Sequence, residues 1–467
     1  MPSNRRAFLK SSAVFALGMS GLKHYVAAGE PTLESQYSRF GQIVPDPHNI
    51  LSLPAGFDYR IISHTGDQMD DGLLVPDKPD GMAAFAGPNG LTLLVRNHEI
   101  EPRQQGPFGW GSELIDKIDR ELLYDLGEEG KPCNAGTTTV VYDTRNQRVV
   151  RQYLSLCGTI RNCAGGPTSR GTWITCEEAC DVVGKNKIDD GPEITCQQNH
   201  GYNFEVPASA DIRLAPAIPL KQMGRFRHEA VAEDPHTGIV YQTEDLEDGL
   251  IYRYLPKRPG DLAAGGKLQA LALIHLSSAD TRNWNGDSTF TPGLRHAVRW
   301  IDLDDVESPN DDLRYQGFDA GAARFARGEG MWYADGEVYF ACTNGGAAEL
   351  GQIWKYTPSP SEGMPGEVAD RGMLELFVEP NDSNLVANAD NLTSSPWGDL
   401  IVCEDRDGQE VRLVGVTPDG HCYTFAHNHV HTEFSGATFS PDGTTLFVNL
   451  QHKGMTLAIT GPWPRSV

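Results

Sequence analysis

The stretch GTIRNCAGGPTSRGTWITCEE, Gly158–Glu178, sets the reading of the whole chain. Gly171-Thr172 opens a β-rich segment, and the Pro, Ser and Gly before it have the composition of a turn. Cys163 stands eight residues before Gly171, and Glu177 six after it. If the turn joins two antiparallel strands, the thiol and the acids Glu177 and Glu178 return to the same end of one hairpin. A thiolate beside carboxylates is a set that can hold a metal ion.

Outward from this hairpin the same unit recurs. A Gly-led strand ends in polar or acidic residues, and a second Gly-led strand, often aromatic, follows it. GLTLLVRNHE (Gly90–Glu99) leads to GTTTVVYDT (Gly136–Thr144), and GTWITCEE (Gly171–Glu178) to GYNFEV (Gly201–Val206). GIVYQTED (Gly238–Asp245) leads to GLIYRYLP (Gly249–Pro256), and GEVYFACTN (Gly336–Asn344) to GQIWKYTP (Gly351–Pro358). GDLIVCED (Gly398–Asp405) leads to a strand around His421–Phe425, and GTTLFVNLQ (Gly443–Gln451) to GMTLAIT (Gly454–Thr460). Six instances at irregular spacing predict an all-β chain folded as a six-bladed β-propeller with long capping loops. A β-sandwich with similar hairpins is the other reading. A short strand is expected over Asp58–Ser63. Pro102–Pro132 and Leu262–Val306 read as long inserts over the channel face.

The chemistry recurs in phase with the hairpins. Shortly before each Gly-led turn stand Asp80, Cys163, Glu229, Glu329, Asp390 and Glu433. Just after the strand that follows stand Glu99, Glu177 with Glu178, Glu244 with Asp245, Asn344, Glu404 with Asp405, and Asn449. One strand-end carboxylate is ordinarily a solvated turn residue. Five or six in phase, one replaced by cysteine, form a ring at the mouth of a propeller, and crowded carboxylates are tolerated there only with cations among them. Oxygen donors suit Ca²⁺ or oxidised iron and manganese, whereas a thiolate suits iron or zinc. Cys163 can also be read as a nucleophile or as half of a disulfide. Arg327, two residues before Glu329, points to the same side of a strand. Arg161 and Arg225 are further cations beside the ring, and a planar guanidinium can take two oxygens of a phosphate ester.

Composition adds an address. The chain has 467 residues and a formal net charge of −24, which argues against a duplex nucleic-acid partner. Residues 1–28 read as a twin-arginine signal: Arg5-Arg6-Ala7-Phe8-Leu9-Lys10, an apolar run from Ala13 to Leu22, and small residues at Val26-Ala27-Ala28. A Sec signal is the alternative. The Tat route moves folded, cofactor-loaded proteins, so the Tat translocase is the expected export partner and the periplasm or exterior the destination. Residues 29–467 are then one propeller domain, with no apolar window of about 20 residues to span a membrane. Nine cysteines lie in it. In an oxidising compartment most can pair, and the odd count leaves one unpaired or a ligand. The lack of a CxxC…CxxC pattern argues against a structural zinc site.

Taken in order, RNHE (Arg96–Glu99), the NCAGG and GTWITCEE motifs of Gly158–Glu178, the GRF and HEA motifs of Gly224–Ala230, Arg327–Gly330, Asp390–Leu392 and EFSGATFSPDGTTLFVNLQ (Glu433–Gln451) resemble the PhoX-type alkaline phosphatases. The resemblance implies a six-bladed propeller with an Fe³⁺–Ca²⁺ cluster that hydrolyses phosphate monoesters at alkaline pH. It implies metal ligands at Cys163, Glu99, Glu177, Glu178, Glu229, Glu329 and Asp390, with Glu244 and Asp245 in the same set. Arg327 and Cys163 take the catalytic roles, and Arg161 and Asn391 join Arg327 in holding substrate. The alternatives are a calcium-dependent lactonase-like propeller hydrolase, which needs no thiolate, and a non-catalytic calcium-stabilised binding propeller.

Overall fold

A computed structural model describes residues 38–464, apart from 103, 129–130, 188–192, 287–288, 384 and 407–409. The expected signal, Met1–Ala28, lies outside the described residues. The propeller lies in the second of the two units into which the chain divides, Phe40–Val467.

The strands form antiparallel groups, each starting at the axis. The six innermost strands are Pro79–Ala86, Asn162–Pro167, His228–Glu233, Gly328–Ala334, Ala389–Ser394 and Phe434–Phe439. Each packs against the next, and the last packs against the first, closing a ring. The second strands are Thr92–His98, Thr172–Glu177, Val240–Glu244, Glu337–Cys342, Leu400–Glu404 and Thr445–Leu450. The glycine before each of them has a positive φ, between 69° and 90° at Gly90, Gly171, Gly238, Gly336, Gly398 and Gly443. A residue without Cβ takes this left-handed turn at no steric cost, which is why the hairpins were visible as Gly-led segments.

Closure of the last blade comes from the other end of the chain. Asp58–His64 pairs with Met455–Thr460, so Asp58 faces Thr460 and the N-terminal part of the propeller completes the sixth sheet. The second blade has three strands, ending in Asn203–Pro207, with the hairpin Gly184–Lys187/Glu193–Cys196 inserted before its third. The expectation of a loop over Leu262–Val306 is corrected. Gly266–Leu273 is the outermost strand of the third blade, and Arg295–Asp302 pairs with both it and Met373–Val378. Blades three and four thereby become one continuous sheet. Among the described residues the single α-helix is Leu313–Asp319.

Apolar side chains fill the spaces between blade faces. Leu271, Phe325, Phe340 and Trp354 are fully buried between the third and fourth blades, as are Phe425, Leu446 and Ile459 between the fifth and sixth. Each such side chain contributes roughly 1.5–3 kcal/mol by leaving water. The axis is packed tightly. Gly81, Ala164, Ala230, Gly330, Asn391 and Gly436 line a space of about 20 Å³ there, room for one water.

Candidate functional site

Every innermost strand carries the same irregularity. Against its second strand, the register slips by one residue between Pro79 and Met82, Asn162 and Gly165, His228 and Val231, Gly328 and Met331, Ala389 and Leu392, and Ser435 and Thr438. Each slip is a β-bulge, which re-aims the side chain at that point. In five blades the residue it aims is the second of the strand, Asp80, Cys163, Glu229, Glu329 and Asp390; in the sixth the second residue, Ser435, still pairs with Asn449 and the slip follows it. The residue after it is small or short, because the neighbouring strand's backbone lies against it.

A second tier follows from the pairing. The last residue of each second strand faces the first residue of the innermost strand: His98 with Pro79, Glu177 with Asn162, Glu244 with His228, Cys342 with Gly328, Glu404 with Ala389, and Leu450 with Phe434. The next residues are Glu99, Glu178, Asp245, Thr343, Asp405 and Gln451. Alternation along a strand sends neighbours to opposite sides, so of each acidic pair only the second joins the ring. A third tier stands two residues before the first: Lys78, Arg161, Arg227, Arg327, Asn388 and Glu433. Four of these hold left-handed backbone, with φ of 43° at Lys78, 47° at Arg161, 51° at Arg327 and 51° at Asn388. Such strain in bulky residues collects at functional sites.

The tiers meet. Cys163, Glu178 and Glu229 present donor atoms within 4.8 Å of one another, and so do Glu229, Glu329 and Asp390, with Glu229 common to both groups. Arg327 donates from Nε and Nη2 to Asp245 at 2.8 and 2.9 Å and from Nη2 to Glu329 at 2.7 Å. Arg161 donates to Glu178 at 2.7 Å and to Glu99 at 3.3 Å. Gln451 Nε2 bridges Asp80 at 3.0 Å and Glu99 at 2.8 Å.

Burial pushes the carboxyls of Asp80, Glu178, Glu229, Glu329 and Glu433 well up and that of Asp390 up to about 8. Neighbouring carboxylates push the same way, foremost Glu99 on Asp80, Glu329 on Glu229 and Asp405 on Asp390; Arg161 opposes the rise on Glu178. Burial, then Glu229 and Glu178, push the Cys163 thiol up. Asp80 Oδ1 and Gln451 Oε1 are buried without a hydrogen-bond partner. Crowded acids, orphaned oxygens and one sulfur fit a set of cations, hard ones on the oxygens and a softer one near Cys163.

Several residues expected at the ring sit elsewhere. Glu177 points into its blade, where it accepts from the amides of Ile160, Gly201 and Tyr202 at 3.0–3.2 Å and lies 2.6 Å from His200 Nδ1. Glu244 accepts from Leu250 N and Tyr252 Oη. Both acids are the members of their pairs that turn into the blade, away from the axis. Asn391 is the second bulge residue. Its amide donates to Asp390 and accepts from Gly436 N, linking the fifth and sixth blades at the axis. Arg225 donates to the carbonyls of His200, Ser308, Cys180 and Asp181, so it ties loops together and Arg227 holds the tier position. Asn344 and Asn449 miss the tier by one and two residues; Thr343 and Gln451 occupy it. All nine cysteines are free thiols, and Cys163 Sγ faces the carbonyl of His228 at 3.4 Å. Thr343, Gln451 and Arg227 can be found by counting from the pairing register, which local sequence does not give.

No curated protein matches the chain. Pseudomonas fluorescens PhoX, solved in complex with vanadate, a transition-state analogue, is 19% identical, with 88% of this chain and 96% of that one covered and a TM-score of 0.65. A gluconolactonase from Xanthomonas campestris is 10% identical over 91% of this chain and 99% of its own, with a TM-score of 0.34. The profile of the family Alkaline phosphatase PhoX matches residues 38–454. With that match spanning almost the whole propeller, the chain belongs to the alkaline phosphatase PhoX family.

Proposed function

We propose that this metal-dependent alkaline phosphatase hydrolyses phosphate monoesters at a cluster of Fe³⁺ and Ca²⁺ on the propeller axis. The observation that carries the reading is the phase of the tiers: a ring of buried acids and one thiol, with a cationic rim two residues above it. Cys163 is the soft donor toward iron. Asp80, Glu99, Glu178, Glu229, Asp245, Glu329 and Asp390 are the oxygen donors. The cations, when bound, neutralise the phosphoryl oxygens and the charge that develops in the transition state. Arg327 and Arg161 receive the phosphoryl group. Asp245 and Glu329 engage Nε and Nη2 and so fix the plane of the Arg327 guanidinium, which leaves Nη1 as the donor toward the ester. Arg227 Nε, buried without a partner, is a third donor at the same level.

The export signal, the Tat translocase as its partner and a periplasmic or secreted address belong to the same proposal, as does the division into residues 1–28 and 29–467. The basis is the motif around Arg5-Arg6. Among the described residues no helix is long and apolar enough to cross a membrane.

The test is hydrolysis of p-nitrophenyl phosphate by the purified mature protein, with and without chelator, beside metal analysis. Iron together with calcium and chelator-sensitive turnover are expected, and Cys163→Ala should lose iron and activity together. Calcium alone, with no hydrolysis of any phosphate ester, would move the protein to the lactonase-like or non-catalytic reading. Arg327→Lys keeps the charge and loses the planar guanidinium that Asp245 and Glu329 orient, so kcat/KM is expected to fall about tenfold or more while metal content holds.

A further inference from the structure

A second group of donors converges about the loop and hairpin that flank the second blade. Asp125, Cys133, Cys196 and His200 are all buried, and one donor atom from each lies within 4.8 Å of the other three. His200 Nε2 is 3.2 Å from Asp125 Oδ2 and 4.0 Å from Cys133 Sγ. We propose that these four side chains form a structural zinc site, separate from the axial cluster.

The two separations from His200 Nε2, 3.2 and 4.0 Å, bracket those a tetrahedral site requires. With Zn–S of about 2.3 Å and Zn–N of about 2.0–2.1 Å, ligand atoms stand about 3.3–3.8 Å apart. Two thiols, an imidazole and a carboxylate are a borderline-soft set; sulfur disfavours Ca²⁺ and Mg²⁺. The supporting contacts also match. His200 Nδ1 lies 2.6 Å from Glu177 Oε1, which directs Nε2 at the group, as carboxylates do behind metal-binding histidines. Asp125 is held by the amides of Gly127, Gln197 and Gln198 at 2.7–2.9 Å. Of the four, Cys133 forms part of the wall of a cleft of about 450 Å³ with Lys131, Asn134, Ile194 and Thr195. A Cys133–Cys196 disulfide would use only the two sulfurs, whereas the imidazole and carboxylate aim at the same point.

The long separation of these residues in the chain explains why no compact cysteine motif announces the site. Bound zinc ties the 125–133 loop to the hairpin ending at Cys196 and to His200. Through Glu177 it fixes the end of the strand that delivers Glu178 to the ring.

The test is zinc analysis of the full mature protein as purified, and again after incubation with zinc chloride and desalting. About one zinc per chain is expected beyond iron and calcium, released as the thiols are titrated with a mercurial. Cys196→Ser should lose that zinc and Cys163→Ser should keep it. If Cys196→Ser fails to fold, the wild type decides: replacing its zinc with Co²⁺ should give the intense absorption of a tetrahedral thiolate complex. Overturning results are no zinc after reconstitution, no thiolate–cobalt band, or an intact mass two hydrogens lighter that maps to a Cys133–Cys196 bridge.

Discussion

Replacing Gly330 by alanine tests whether the bulges set the spacing of the ring. A Cβ at Gly330 would lie 2.7 Å from Asn391 Cα, 2.7 Å from Asp390 O and 2.9 Å from Leu392 N, all backbone of the next innermost strand. Carbon contacts settle at about 3.5–4.0 Å, so the fifth blade has to retreat by about 1 Å. Metal sites hold their bond lengths to within about 0.2 Å, and Glu329 and Asp390 sit on either side of the wedge. Overpacking of this kind costs about 1–3 kcal/mol. The control is Gly336→Ala, at a turn with φ of 83° and open space around it; left-handed backbone there costs about 1–2 kcal/mol. The two variants should therefore lose similar thermal stability. Only Gly330→Ala should lose cluster metal and about 100-fold in kcat/KM, the scale of a 1 Å misplacement. Both quantities can be read from p-nitrophenyl phosphate turnover, elemental analysis and a melting curve. Wild-type turnover and metal content in Gly330→Ala would refute the idea that the bulge sets the ring.

Glu177→Gln and Glu178→Gln should separate cleanly although the residues are adjacent. The first orphans buried donors at about 1–3 kcal/mol each and lowers the melting temperature; the second spares stability but lowers iron and calcium content and activity, and equal effects of the two on iron and calcium would contradict the assigned facing. pH should act on the metal-free protein through the ring. Asp390 titrates at about 8 in the fold against 3.8 ordinarily, so the folded state holds the extra proton. Stability conferred by that proton is present at low pH and is lost as pH rises from about 4 to about 8. Melting curves of chelator-treated protein should fall across this window, and cations should flatten the fall; a metal-free protein that gains stability with rising pH would contradict it.

The hairpins are legible from local sequence, because a left-handed glycine is a local demand: Gly171 or Gly398 announces its turn without reference to the rest of the chain. So is the phase of Asp80, Cys163, Glu229, Glu329 and Asp390, which keep a fixed place at the start of a strand. Which of two neighbouring acids faces the axis emerges only from the folded sheet, since a one-residue shift in register turns Glu178 in and Glu177 away. Only the fold shows that Arg227 rather than Arg225 holds the rim, that Gly266–Leu273 and Arg295–Asp302 are sheet and not loop, and that Asp58–His64 closes the last blade. Pairing register and long-range strand partners are properties of two segments together, and Asp125, Cys133, Cys196 and His200 become neighbours only when the blade between them has folded.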